Sequence, residues 1–346
     1  MLQSLSGNNP EHASYRFAIE ETSQVGEARR FALVLCSELD LDETGQGRVS
    51  IIVNELGHNL VSYGKKSQLI FRKFSTKTKI GIEILSIDSG PGMDDVEAIK
   101  DGFTTGSTPG NGLGAVKRQS DLFDIYSSVG TGTVIMSRVY SKNLSLSTTD
   151  EKNSDGFEVG AINVPKRGEV VSGDGWCVHE TDQGLAVTIV DGLGHGPLAH
   201  EAAVKALLVF AKNYHEPVVG VLQKIHQDLT ASRGAAVLIL STNKDEISYT
   251  GVGNITATLR APMKSKALTS QNGTAGLRLG EIKSFQEDWR VGDYFVFNSD
   301  GLLGRWNLDL YPGFRDKHAS LVAALLYRDF DRGNDDTTVV VVRRLS

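Results

Sequence analysis

Residues 191–203, read DGLGHGPLAHEAA, follow an unbroken apolar run, LAVTIV at 185–190, and precede a second apolar-rich stretch at 201–211. The first run has the length and β-branching of a buried strand, and the later stretch reads as a helix. Strand, glycine-rich turn and helix in that order set Asp191 at a strand end. With Gly192, Gly194 and Gly196 behind it, backbone carbonyls and a carboxylate can approach one point, which a hard divalent cation requires. Three further acidic positions have the same setting. Asp174 lies in SGDGW after the apolar pair Val170 and Val171, Asp300 lies in NSDGLLG after YFVF, and Asp335 with Asp336 opens DDTTVVVV. Acidic residues from separate segments, each beside an expected strand, are expected to converge on one site.

A chain of 346 residues suits two domains of roughly 100–200 residues each. The net charge of −6 argues against a nucleic-acid partner, since phosphate contacts need a basic surface. Cys36 and Cys177 sit among apolar neighbours and read as reduced core thiols. No basic region followed by an apolar stretch opens the chain, and no apolar run approaches the ~20 residues that span a bilayer. A cytoplasmic protein without membrane contact is expected.

In the first half, strands are expected at 15–19, 68–74 and 79–87, and helices at 21–39 and 47–64. On the second helix Val49, Ile52, Val53, Leu56 and Leu60 mark the buried side, while Glu55 and Asn59 lie one turn apart on one face. DSGPGM follows the strand at 79–87, so Asp88 stands at its end with Gly90 and Gly92 in the turn. Gly110, Gly112 and Gly114 lead into a helix, where backbone N–H groups and the helix dipole favour an anion. A strand at 124–128, a Gly130-Thr131-Gly132-Thr133 turn and a strand at 134–139 complete this half.

That ordered set resembles the GHKL ATP-binding fold, and within it the anti-sigma-factor serine kinases, over residues 15–140. The resemblance implies an α/β sandwich that binds ATP with Mg²⁺. Asn59 would bind the magnesium and Glu55 would orient or deprotonate an attacking hydroxyl. Asp88 would accept from the adenine amino group, with Gly90 and Gly92 lining the base and Thr133 supporting Asp88. Gly110, Gly112 and Gly114 would cap the phosphates. Sensor histidine kinases share the fold, but the stretch before Glu55 is too short for their phospho-accepting helical hairpin, and His12 is its sole histidine.

Residues 141–157 are polar and aperiodic and read as a linker, which makes 1–140 and 158–346 the expected domains. The second half reads as strands at 158–164, 169–171, 175–179, 185–190, 235–241, 246–253, 255–260, 294–298 and 337–343. Helices are expected at 198–213, 218–229 and 317–326. The fold class is therefore α+β, with a β-sandwich flanked by helices in this half. SGD at 172–174, VDGLGHG at 190–196, NSDGL at 298–302 and NDDTTVVVV at 334–342 resemble the motifs of the metal-dependent PPM-type Ser/Thr phosphatases, in the short bacterial branch with SpoIIE-like and RsbX-like enzymes.

By that resemblance Asp174, Asp191 and Asp335 would bind a first Mn²⁺ or Mg²⁺. Asp191, the Gly192 carbonyl and Asp300 would reach a second, the ions standing about 3.5–4 Å apart and activating a water for in-line attack on phosphorus. Asp336 fills the neighbouring place without being a ligand. His195 and His200 lack zinc-spaced partners and are assigned turn and helix-surface roles. The whole implies a phosphatase fused to a serine-kinase-like domain in a bacterial partner-switching or stress-response pathway. The implied partners are a phosphorylated STAS-domain antagonist or stressosome-like protein, and a sigma factor or its regulator. The rival expectation keeps the first domain as an ATP-gated binding module without kinase turnover.

Overall fold

The computed structural model describes residues 13–76, 79–93, 112–142, 156–181, 184–243, 245–262 and 264–346. They form two compact units. One contains residues 13–142 together with Tyr311–Arg328; the other contains residues 156–310 and Asp329–Ser346. The sequence pattern kept residues 158–346 together, so the membership of Tyr311–Arg328 in the first unit comes from long-range packing that no local window carries. Most of the expected linker lies outside the described residues.

The first unit is built on one antiparallel sheet of order β1-β2-β3-β5-β4. Its strands are β1 (Ser14–Ala18), β2 (Gln68–Ser75), β3 (Ile80–Ile87), β4 (Leu122–Ser128) and β5 (Gly132–Tyr140). Helices α1 (Thr22–Glu38) and α2 (Glu43–Tyr63) cover one face, and α3 (Gly112–Gln119) packs beside α2. Helix α2 starts before the apolar periodicity does because the Asp42 carboxylate accepts from Gly45 N–H at 2.7 Å, an N-cap that satisfies an otherwise orphaned donor. Its Val49, Ile52, Val53, Leu56 and Leu60 join Leu69, Phe71, Ile82 and Ile84 of the sheet in one core.

A polar row crosses the centre of that sheet. Arg72 on β2 and Arg138 on β5 stand directly opposite Glu83 on β3, which has no solvent exposure. Arg72 donates to Glu83 Oε1 at 2.8 Å and Arg138 to Oε2 at 2.7 Å. Ser320 of helix α4 (Ala319–Phe330) donates its hydroxyl to the same Oε2 at 2.7 Å. Burial alone would push the Glu83 carboxyl up, but the charges of Arg72, Arg138 and His318 and the Arg72 hydrogen bond hold it well below the usual carboxylate range. Every residue of α4 from Ala319 to Tyr327 is buried, and Tyr327 accepts from Arg16 and donates to Gln68, both at 3.1 Å.

The second unit is a sandwich of two antiparallel five-stranded sheets, so the chain as a whole has the expected α+β class. One sheet, of order β15-β10-β9-β8-β7, contains β7 (Asp174–Thr181), β8 (Gly184–Gly192), β9 (Ala235–Asn243), β10 (Glu246–Val252) and β15 (Phe285–Asp288). The other, of order β12-β11-β16-β17-β6, contains β6 (Phe157–Val164), β11 (Thr256–Arg260), β12 (Ser265–Leu268), β16 (Tyr294–Asn298) and β17 (Thr337–Arg344). A short pair, β13 (Gly273–Thr274) and β14 (Arg278–Leu279), lies between β12 and β15 in the chain. Val187 and Ile189 of β8 enter the core between the sheets, while Ala186 and Val190 enter a second core under helices α5 (Pro197–Asn213) and α6 (Val218–Asp228). Burial on both faces is why residues 185–190 read as an unbroken apolar run. The expected strand at 169–171 is instead an irregular segment: Val170 is 93% exposed and gains nothing from pairing. Among the described residues no helix is long and apolar enough to cross a membrane.

The Glu83 row yields a stability test. Glu83→Ala leaves two buried guanidinium groups without their carboxylate and is expected to cost about 3–5 kcal/mol in denaturant unfolding. Because the folded-state pKa of Glu83 is depressed, its contribution is complete above the unfolded value of 4.5 and fades as pH falls below it. The mutant should therefore lose less stability on acidification than the parent.

Candidate functional site

Strand alternation delivers the acidic residues to one end of the sandwich. Along β8, Val187 and Ile189 face the other sheet, so Asp191 continues on that face; along β7, Trp176 does the same and Asp174 lies two residues before it. The register sets Asp174 directly opposite Asp191. From the second sheet, Phe295 and Phe297 lead to Ser299 and then Asp300, while Asp335 and Asp336 precede β17. Ser299 N–H donates to Thr338 O at 3.1 Å and Thr338 N–H to Ser299 Oγ at 3.0 Å, which ties those two strand ends together. Asp191, Asp300 and Asp335 line one cleft of about 550 Å³ with His195, Asn254, Asn272 and Thr274. Asp174 opens β7 rather than ending a preceding strand, because 169–171 forms none.

The carboxylates raise one another's pKa. Burial first, and then the charges of Asp300, Asp335 and Asp336, push the Asp191 carboxyl up to about 7. Asp174 is pushed well above its ordinary value by burial and by Asp191, against a hydrogen bond from Ser299. Asp174 Oδ2 is buried without a hydrogen-bond partner. Asp336 is different: its Oδ1 accepts from Lys166 N–H at 2.8 Å and its Oδ2 from Gly173 N–H at 2.9 Å, so both oxygens are committed to backbone. Among the described residues no three or more His, Cys, Asp or Glu side chains stand grouped as they would be to hold a metal ion. The donor set is instead an open one of oxygens, including one orphaned carboxylate oxygen, which fits hard divalent cations.

Gly192 ends β8 where a Cβ would stand 2.2 Å from Ala199 O, so no side chain fits, and its N–H donates to Gly173 O at 3.0 Å. His200 Nδ1 lies 2.8 Å from Ser172 O and holds the loop before Asp174, while His195 Nδ1 pairs with Glu169 at 2.7 Å. Asn254 was missed by sequence reading. Its amide donates to Asp300 Oδ2 at 2.6 Å and also bonds Asp191, bridging carboxylates that repel. The available signal was its position after β10 in a Gly-Asn turn, the same strand-then-glycine format as the aspartates.

In the first unit Glu55 and Asn59 share one face of α2, and a Cβ on Gly112 would stand 3.0 Å from Glu55 Oε2 and 4.0 Å from Asn59 Nδ2. The start of α3 therefore lies against that pair. Gly114 is buried within α3, and Gly110 lies outside the described residues. Asp88 follows β3 and accepts from Gly90 N–H at 2.6 Å; burial nevertheless pushes its pKa up. Gly92 holds φ at 64°, and a Cβ there would meet Ser128 O at 2.0 Å. Thr133 exchanges backbone hydrogen bonds with Asp88 at 2.9 and 3.2 Å, while its hydroxyl pairs with Ser127.

The histidine kinase-like ATPase domain family matches residues 18–138. The chain is 34% identical to the serine/threonine-protein kinase RsbT of Bacillus subtilis (strain 168) over 109 residues, which is 31% of this chain and 82% of that protein. It is 30% identical to the phosphoserine phosphatase RsbX of the same strain over 143 residues, 40% of this chain and 70% of that protein. The chain belongs to both families. It is a fusion of an RsbT-like, histidine kinase-like ATPase domain with an RsbX-like Ser/Thr phosphatase domain. A solved structure described as "The bacterial stressosome: a modular system that has been adapted to control secondary messenger signaling" is 26% identical with a TM-score of 0.52. That match covers 54% of this chain and 99% of the solved one.

The raised Asp191 pKa gives the fusion a testable pH signature. Between about pH 4 and 7 the folded state retains a proton that the unfolded chain has released, so metal-free stability is highest below that window and falls as pH rises through it. Chelator-treated protein should melt at lower temperature at about pH 7.5 than at about pH 5. Asp191→Asn should flatten that slope, and added Mn²⁺ should raise the melting temperature of the parent most at the higher pH.

Proposed function

We propose that the RsbX-like domain hydrolyses phosphoserine or phosphothreonine on a STAS-type protein with two divalent cations, Mn²⁺ or Mg²⁺. We further propose that the RsbT-like domain binds ATP with Mg²⁺ and phosphorylates a partner of the same class. The observation that carries the phosphatase reading is the cross-strand pair Asp174–Asp191, with Asp174 Oδ2 buried and unpartnered beside the cleft carboxylates. Asp174, Asp191, Asp300 and Asp335 would hold the cations, with the Gly192 carbonyl beside them. Divalent cations at such a site supply a water acidified enough to attack at neutral pH and charge neutralisation on the phosphoryl group.

The protein's own groups have separate tasks. Asp336, engaged by two backbone amides, fixes the loops that carry Lys166 and Gly173. Asn254 holds Asp300 in place through its amide. His195, lining the cleft and paired with Glu169, is positioned to give a proton to a departing serine oxygen.

In the RsbT-like domain, Glu55 and Asn59 beside Gly112 support a phosphate and magnesium end, and Asp88 beside Gly90 supports an adenine end. The resemblance to partner-switching proteins supports placing both activities on one regulatory circuit, acting in a stress response through a sigma factor or its regulator.

Two measurements test this reading. Mn²⁺-dependent phosphate release from a phosphoserine peptide is expected in the parent protein and should fall in Asp300→Asn by about 3 kcal/mol in barrier, roughly a hundredfold. Equal turnover in the two proteins would defeat the two-cation assignment. Radiolabel from γ-labelled ATP should pass to a STAS-domain protein, with the transfer lost in Glu55→Ala and kept in Asp191→Ala. ATP binding without any transfer would leave the RsbT-like domain as a nucleotide-gated binding module.

A further inference from the structure

The last turn of α4 lies against the strand end that carries Asp88. The Tyr327 hydroxyl donates to Gln68 Oε1 at 3.1 Å, and Gln68 pairs in register with Ile87, the residue before Asp88. Arg328 follows Tyr327. Burial pushes the Asp88 carboxyl up, and the Arg328 charge is among the influences that oppose that push. Any ligand seated on Asp88 therefore acts on a carboxylate that Arg328 already attracts.

From Arg328 the chain runs straight to the turns beside two cleft carboxylates. Arg328 is the last residue of the first unit, and α4 ends at Phe330. Phe330 O accepts from Leu303 N–H at 2.8 Å, and Arg332 N–H donates to Gly301 O at 3.0 Å. Leu302 and Asp331 form an antiparallel bridge between these two bonds, so residues 330–332 are laced to 301–303, directly after Asp300. Asp331 Oδ1 also accepts from Thr337 Oγ1 at 2.8 Å and from Gly333 N–H at 3.1 Å, which braces the stretch that carries Asp335. Gly301 is pressed onto the same stretch: a Cβ there would stand 2.0 Å from Asp336 O. Asp331, three residues after Arg328, thus grips the flanks of both Asp300 and Asp335.

We propose that an adenine nucleotide bound at Asp88 tightens the hold of Asp300 and Asp335 on divalent cations, the coupling being carried by residues 327–332. A ligand that orders one end of this short path removes freedom that the ligand at the other end would otherwise have to remove, so the two bind with positive cooperativity. Thermodynamic linkage then requires one factor in both directions: nucleotide tightens cation binding as much as cations tighten nucleotide binding. Arg328 and Asp331 are positioning residues in this scheme. It makes the phosphatase-like part responsive to the nucleotide state of the kinase-like part.

This inference rests on both halves of the proposed function, and the experiment separates it from them. Hydrolysis of an aryl phosphate by the full-length protein is followed across buffered free Mn²⁺ concentrations, with and without ADP. ADP should lower the Mn²⁺ activation midpoint about fivefold, near the low end of the usual range for coupled sites. Calorimetry supplies a readout independent of turnover. The ADP dissociation constant should fall by the same factor as Mn²⁺ fills the cleft of the parent protein, and by less in Asp300→Asn, which corrects for Mn²⁺ that accompanies the nucleotide. Arg328→Gln and Thr337→Val, one at each end of the path, should each bind ADP and hydrolyse the aryl phosphate with Mn²⁺ alone, with the factor reduced toward one. A midpoint that ADP leaves in place or raises, in a parent protein that binds ADP and hydrolyses the substrate, would overturn the coupling and leave both activities standing. A full factor in both variants would overturn the assigned path. Parent protein that binds no ADP would overturn the nucleotide reading, and parent protein without Mn²⁺-dependent hydrolysis the phosphatase reading, each taking the coupling with it.

Discussion

The antiparallel register of β7 on β8 is the constraint from which the acidic site follows. Side chains alternate along a strand, so a slip of one residue would turn Asp191 from the inter-sheet end of the sandwich toward the helix-covered face. Apolar filling on both sides prevents that slip. Val187 and Ile189 are committed to one core and Ala186 and Val190 to the other, and exchanging the sets would put Asp191 against the alanine-lined side of α5. The glycine turn then reinforces the register. Gly192 lies against Ala199 O with no space for a side chain, and its N–H fixes the Gly173 carbonyl of the loop that leads to Asp174.

The same molecule treats buried carboxylates in opposite ways, and the neighbours decide which. Glu83 and Asp174 are both desolvated, which disfavours the charged form of each. Around Glu83 two arginines and a serine hydroxyl more than compensate, so it remains ionised and serves as a structural tie between three strands and α4. Around Asp174 the nearest charges are further carboxylates, so burial and repulsion act together. An arrangement that raises acid pKa values costs stability, and Asp174 carries that cost next to the cleft that Asp191, Asp300 and Asp335 line. Asp336 shows a third outcome: two backbone N–H groups occupy its oxygens and make it part of the frame.

Much of this was legible in the sequence because it is encoded locally. A strand, an aspartate and a glycine occur within a few residues at Asp191 and Asp300, and the Glu55, Asn59 pair is fixed by helical periodicity alone. The features that escaped depend on partners distant in the chain. Asn254 gains its meaning only from Asp300, 46 residues away, and Ser320 only from Glu83, 237 residues away. The expected strand at 169–171 failed for the converse reason: two adjacent valines match a strand by composition but have no partner strand to bury them.

The path of the chain limits how independent the two units can be. Tyr311–Arg328 belongs to the first unit, yet in sequence it lies between Asp300 and Asp335 of the second. The segment is anchored by more than apolar contact. His318 N–H donates to Asp124 Oδ2 and Lys317 Nζ to Ile125 O, both at 2.7 Å, and Ser320 completes the Glu83 row. A chain cut in the polar stretch at 141–157 would therefore not divide the protein into two intact halves. The C-terminal piece would carry away a helix whose residues from Ala319 to Tyr327 are buried, and the N-terminal piece would keep Glu83 and its arginines without Ser320. Exposing that helix costs on the order of 25 cal/mol for each Å² of apolar surface returned to water, a penalty that falls on the piece containing the aspartates. The kinase-like and phosphatase-like parts match two separate Bacillus subtilis proteins, whereas in this chain the first unit is completed by a segment, Tyr311–Arg328, that the sequence supplies between Asp300 and Asp335.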